Sequence, residues 1–123
     1  MRRFRFDRAT GHPVDAYGSR GVVARGVQHT PARLVVTSLW LEPEAQIGIH
    51  DAVVDQLFLV VEGAGWALDA AGRRTPVAAG EALFWHAGES HGVGSDGGLA
   101  ALVLEGEGLD PEAHLVPVEH AAP

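Results

Sequence analysis

The chain has 123 residues, enough for one domain with a real core and too few for two independently folding halves. With 46% hydrophobic and 20% charged residues it sits among ordinary soluble globular proteins, far from disordered or collagen-like chains. A net charge of −7, with Arg gathered at residues 2 to 8, argues against an extended nucleic-acid face, and the absence of cysteine excludes disulfides, thiolate zinc sites and a Cys nucleophile.

The N-terminus, Met1-Arg2-Arg3-Phe4-Arg5-Phe6, runs into Asp7 and Arg8 without the apolar core of a signal peptide, and no later stretch approaches a membrane span. A cytoplasmic location is the expectation. All nine basic residues are Arg, with neither Lys nor Asn anywhere, which fits a GC-rich bacterial coding sequence. The first thirty residues scatter Gly, Pro and Asp, and read as an N-terminal extension that is partly strand.

From residue 31 to 108 the pattern is all-β: short apolar runs separated by Gly and Pro, with no long amphipathic helix. Arg33 to Leu41, rich in β-branched and aromatic residues, is a strand stopped by Pro43, and a loop then leads to His50. Leu57 to Val61 is a continuous apolar strand that the Gly63-Ala64-Gly65 run is expected to end. Trp66 to Leu68 turns at Ala70-Ala71-Gly72, Arg74 to Val77 returns to Gly80, and Ala82 to Trp85 ends at Ala87-Gly88. Leu99 to Leu104 follows the Asp96-Gly97-Gly98 turn. Such regular spacing favours a barrel or sandwich. Residues 109 to 123 form a tail without clear period, and either end is expected to drape over the barrel or pair with a second subunit.

Three features converge on one place. Gln56 heads a strand in which Gln56, Phe58 and Val60 share one face and Leu57, Leu59 and Val61 the other. A buried amide without a partner costs about 1–3 kcal/mol, so Gln56 should be satisfied by a ligand, a water or a metal. The stretch Gly80 to His91 is a strand, a glycine turn and a returning strand that brings His91 back over the apolar floor. Trp40, Trp66 and Trp85 could wall a cleft, although plain core packing is the commoner fate of such residues.

The stretch from Gly48 to Ser95 resembles the two motifs of the cupin superfamily. The first motif there is two His separated by one residue, three or four residues, a Glu, six residues and a Gly; counting back from Gly63 puts Gln56 at the Glu, Ala52 at the second His and His50 at the first. The second motif is matched by Gly80, His86, Gly88, His91 and Ser95, with His86 in place of a Pro and Ser95 in place of an Asn. The resemblance implies a small single-domain cupin: a double-stranded β-helix, or jelly-roll, barrel with its ligand at the open mouth.

Carried over position by position, the resemblance implies a divalent transition metal, iron, nickel, copper or zinc, held by His50, Gln56 and His91. Exchanging the motif carboxylate for an amide removes a negative charge from that set and should weaken it. Three functions stay open. The pocket is a metal centre acting on a small oxygenated molecule by cyclisation, isomerisation or oxygenation; or it is a metal-free binding pocket; or His50 or His91 moves a proton without metal. Phe58, Trp40, Trp66, Trp85 and His86 are the expected pocket lining. Asp51, Asp55, Glu81 and Glu89 read as solvated turn residues, and His12, His29, His114 and His120 receive no role. A small-molecule ligand, no nucleic acid or membrane partner, and a homodimer formed through edge strands complete the expectation.

Overall fold

The computed structural model describes residues 1–118; His120 lies outside them. The elements in chain order are β1 (Arg2–Arg5), two 3-10 turns at Arg8–Thr10 and Ala16–Gly18, β2 (His12–Val14), β3 (Val22–Ala24), β4 (Val35–Leu41), β5 (Ala45–Asp51), β6 (Gln56–Leu68), β7 (Arg74–Ala78), β8 (Glu81–Trp85), β9 (Ser90–Ser95), β10 (Leu99–Glu105), α1 (Pro111–His114) and β11 (Val116–Pro117). The longest α-helix described has four residues. None is long and apolar enough to cross a membrane.

The barrel turns on β6. Its first half pairs antiparallel with β8 and β10, in the order β11-β1-β8-β6-β10-β4, and its second half pairs with β7 and β9, with β5 beyond β9. One thirteen-residue strand therefore belongs to both layers. The sequence places a strand end at Gly63-Ala64-Gly65, and the structure instead runs straight through it. Gly63 adopts φ 79°, open to glycine at little cost, beside a register shift on β10 between Ala100 and Ala101. A Cβ on Gly65 would stand 2.1 Å from the Gly94 carbonyl oxygen. These glycines admit a neighbouring backbone, and neither ends the strand.

A second difference lies between Pro43 and His50. The segment expected to be a loop is strand β5 from Ala45 onward, paired with β9. The first and last described strands also belong to the main sheet: β1 pairs with β8 on one side and β11 on the other. The other turns form where Gly and Asp place them. Asp69 accepts the Ala71 and Arg73 N–H groups, and Gly98 closes the Asp96-Gly97-Gly98 turn at φ 93°.

Because both faces of β6 are covered, two cores form. Phe58, Val60, Val77, Leu83, Trp85, Val93, Leu99 and Val103 fill the barrel interior. On the other face, Leu57, Leu59, Phe84 and Leu104 are closed over by Phe4 from β1 and by Leu109 and Leu115 from the C-terminal segment. Alternation along β6 sorts its residues between the two as the period of a strand requires.

Candidate functional site

At one end the barrel interior is left open as a cavity of about 220 Å³. Its apolar lining is Leu39, Ile47, Phe58, Trp85, Val93 and Val103; its polar lining is Thr37, His50, Gln56, His91 and Glu105. Six strands contribute, so no single local segment defines the site.

His50 and His91 stand directly opposite each other on β5 and β9, with ring centroids 4.6 Å apart. Their arrival follows from strand parity. On β9, His91 and Val93 face the cavity together, while Gly92 and Gly94 pack closely on Ile47 and Trp66. On β5, Ile47 faces inward, so an unbroken strand would send Ile49 and Asp51 in and His50 out. A register irregularity between Ile47 and His50 reverses the parity: Ile49 is exposed and His50 lines the cavity.

The two imidazoles differ in environment. His50 sits exposed at the rim, whereas His91 is only 2% exposed and stacks on Trp85 with centroids 3.9 Å apart and planes 16° apart. Burial lowers the His91 pKa below its ordinary value and neighbouring His50 lowers it further, against the opposing pull of the Glu89 backbone, so the ring is held toward its neutral form. His50 Nδ1 lies 2.8 Å from the Gly48 carbonyl oxygen, and His91 Nδ1 lies 3.2 Å from that of Glu89. A carbonyl only accepts, so each Nδ1 donates. In the neutral ring that leaves Nε2 with a free lone pair.

Gln56 heads β6 and lines the same mouth. Its partner is a protein side chain that the sequence reading did not single out: Nε2 donates to Glu105 Oε1. Glu105 ends β10 in direct cross-strand register with Gln56. Parity along β10 could have found it, since Ala101 and Val103 belong to the interior core and Glu105 is next on that face.

The expected aromatic lining is corrected in part. Trp85 and Phe58 do line the cavity, edge to face at 6.1 Å. Trp40 does not: Thr37 and Leu39 of β4 face inward, so Trp40 points out and is 71% exposed. Trp66 lies at the opposite end of β6, packed on Gly94 under the Arg74 guanidinium 4.0 Å from its ring. His86 also lies outside the cavity, 72% exposed in its side chain, edge-on to Phe84 and 3.8 Å from Asp55. The acidic residues near the motifs hold turns: Asp51 accepts from Ser90 Oγ, Asp55 from the Ala87 N–H, Glu81 from the Ala78 N–H and Glu89 from the His86 N–H. Ser95, at the motif Asn position, is buried and donates to the Ala64 carbonyl at 2.6 Å.

Tested against a metal ion, the mouth offers two imidazole Nε2 lone pairs and one amide oxygen, donors suited to a transition dication. It lacks a dense cluster. Among the described residues no three His, Cys, Asp or Glu side chains gather as a metal-binding group, so a third side-chain donor beside His50 and His91 would have to be of another kind, and Gln56 lines the same cavity.

Strand order, the shared β6, and the pair of His at the two motif positions define the class: this chain has the all-β cupin jelly-roll fold, in its small single-barrel form. No family model matches the sequence, and no curated protein sequence matches it. Solved structures do. A cupin superfamily protein from Desulfitobacterium hafniense aligns at TM-score 0.55 and 12% identity, over 68% of this chain and 72% of that one. An RmlC-like cupin from Shewanella frigidimarina aligns at TM-score 0.56 and 21% identity, over 61% and 67%. Salicylate 1,2-dioxygenase from Pseudoaminobacter salicylatoxidans, in complex with gentisate, aligns at TM-score 0.56 and 16% identity over 59% of this chain, which spans only 20% of that enzyme. At such identities these likenesses establish the fold and leave the reaction to the site.

Proposed function

We propose that the barrel mouth holds a divalent transition metal, iron, nickel, copper or zinc, through His50 Nε2, His91 Nε2 and the Gln56 carbonyl oxygen, and that the protein acts on a small oxygenated molecule in the cavity. The observation that carries this reading is the cross-strand His pair, with both Nδ1 groups committed to backbone carbonyls and both Nε2 lone pairs left free. Backbone hydrogen bonds of this kind fix the tautomer and ring orientation of a ligating imidazole. A metal bound here would supply Lewis acidity or oxygen activation, suited to cyclisation, isomerisation or oxygenation.

The chain's own residues do the rest. Stacking on Trp85 fixes the His91 ring, Phe58, Leu39 and Val103 present an apolar wall to the carbon skeleton of the ligand, and Thr37, in register with Val103, adds a hydroxyl to the lining. At about 220 Å³ the cavity is smaller than the ~300–1,000 Å³ of sites for drug-sized ligands, which restricts it to small molecules. We propose in addition that the protein works as a cytoplasmic homodimer.

A second reading is favoured by one observation: no third imidazole or carboxylate joins His50 and His91 in a metal-binding group among the described residues. In that reading the pocket binds its ligand without metal, through hydrogen bonds to His50, His91 and Gln56. Elemental analysis of tag-free protein, beside a His50→Ala/His91→Ala variant, separates the two. Near-stoichiometric metal that disappears in the variant supports the metal centre. Absence of metal after reconstitution with each of the four ions overturns it and leaves the binding pocket.

A further inference from the structure

The proposed donor set is electrically neutral, two imidazoles and an amide, although it faces a dication. One carboxylate lines the same cavity. Glu105 is half-buried at the end of β10, and among the cavity-lining residues it is the one acidic side chain; no Arg or Lys lines the cavity with it. Its Oε1 accepts from Gln56 Nε2, and the backbones of the two residues are in direct cross-strand register.

That contact settles which way the Gln56 amide points. An ionised carboxylate only accepts, so the amide must present its NH₂ to Glu105. Its carbonyl oxygen is then left on the other side of the group, and no hydrogen bond to that oxygen is found among the described residues. A hydrogen bond to a charged acceptor is also stronger than a neutral one, and it draws electron density through the amide toward the carbonyl.

We infer that Glu105 is a positioning residue: from one strand away it turns the Gln56 amide so that its carbonyl oxygen serves as the donor, and returns to the site the negative charge missing from Gln56 itself. The inference rests on the metal reading above. The carboxylate has in effect moved from β6 to its β10 neighbour, with the amide relaying it.

Cobalt(II) provides the test, because its visible absorption reports the ligand set directly and needs no substrate. Wild type, Glu105→Gln, Glu105→Leu and the exchange variant Gln56→Glu/Glu105→Gln are titrated with cobalt(II), and far-UV circular dichroism confirms that each is folded. Partners behind a metal ligand are typically worth about 10–100-fold in affinity. Glu105→Gln keeps an acceptor for Nε2 and loses the charge, so it should bind about 10-fold more weakly. Glu105→Leu loses both, and should approach the 100-fold end of that range.

The exchange variant keeps the cross-strand hydrogen bond and places the carboxylate on β6, so it should bind at least as tightly as wild type, with a shifted cobalt spectrum. A pair that merely tied β6 to β10 would leave cobalt affinity at the wild-type level in both Glu105→Gln and Glu105→Leu. Wild-type affinity in both single variants would overturn the role of Glu105 while leaving the metal centre standing; an unchanged exchange spectrum would take Gln56 out of the ligand set and overturn the role of Glu105 with it. Failure of the wild-type chain to bind cobalt would overturn both.

Discussion

Leu57 and Leu59 on one face of β6, and Gln56, Phe58 and Val60 on the other, are neighbours in sequence that meet different surroundings. The outer face is shut by Phe4 of β1 and by Leu109 and Leu115, so the chain ends complete a core that offers no polar group to a ligand. The inner face is packed at Val60 but opens at Gln56 into a cavity with two His, an amide and a carboxylate at its lip. A jelly roll thus separates stability from chemistry across a single strand. The outer core holds the sheet, and the inner core is left incomplete where a ligand can complete it.

The largest break in that comparison should come from Phe4→Ala. Phe4 is fully buried, and removing a buried Phe costs about 3–5 kcal/mol through lost transfer energy and the cavity left behind. Urea denaturation should show that loss, while metal or ligand affinity of the folded variant stays unchanged because the outer face contributes nothing to the mouth. Next comes Gly65→Ala, where the new Cβ would meet the Gly94 carbonyl at 2.1 Å. Its neighbour is backbone and cannot step aside, so overpacking should cost about 1–3 kcal/mol by the same assay.

The smallest effect is a slope in pH. Because burial holds the His91 pKa below its ordinary 6.5, the unfolded chain takes up this proton at higher pH than the folded one. His91 therefore stabilises the fold above about pH 6.5, and that contribution is lost as pH falls through 6.5 toward the lowered folded value. Denaturation midpoints between pH 7.5 and 5 should show the decline in wild type and in Phe4→Ala, and a flatter profile in His91→Gln.

Much of the inner face was legible in the sequence. The alternation of Gln56, Phe58 and Val60 put these residues on one face, and the resemblance to the cupin motifs implied a barrel with His50, Gln56 and His91 at its mouth; all three line the same cavity. What escaped depends on neighbours that periodicity does not contain. Gly63 and Gly65 read as punctuation, yet they mark close approach to the Gly98 and Gly94 backbones within a strand that continues. The Arg2–Arg5 strand is nearly all charged, and its one apolar residue, Phe4, shows its worth only once Leu57 and Phe84 surround it. Trp40 illustrates the opposite error, because aromatic character suggested a wall where the parity of Thr37 and Leu39 points it outward. Glu105 follows Ala101 and Val103 on the inner face of β10, a parity signal that its charge at a strand end masks.

Thermal unfolding of wild type, Phe4→Ala and His50→Ala/His91→Ala, each with and without excess cobalt(II), tests the separation of the two faces most directly. A ligand at 100 times its Kd stabilises the folded state by about 2.7 kcal/mol. The account predicts a cobalt-dependent rise in Tm for wild type, a comparable rise for Phe4→Ala from its lower starting point, and none for the His double variant. An equal rise in the double variant, or the loss of the rise in Phe4→Ala, would contradict it.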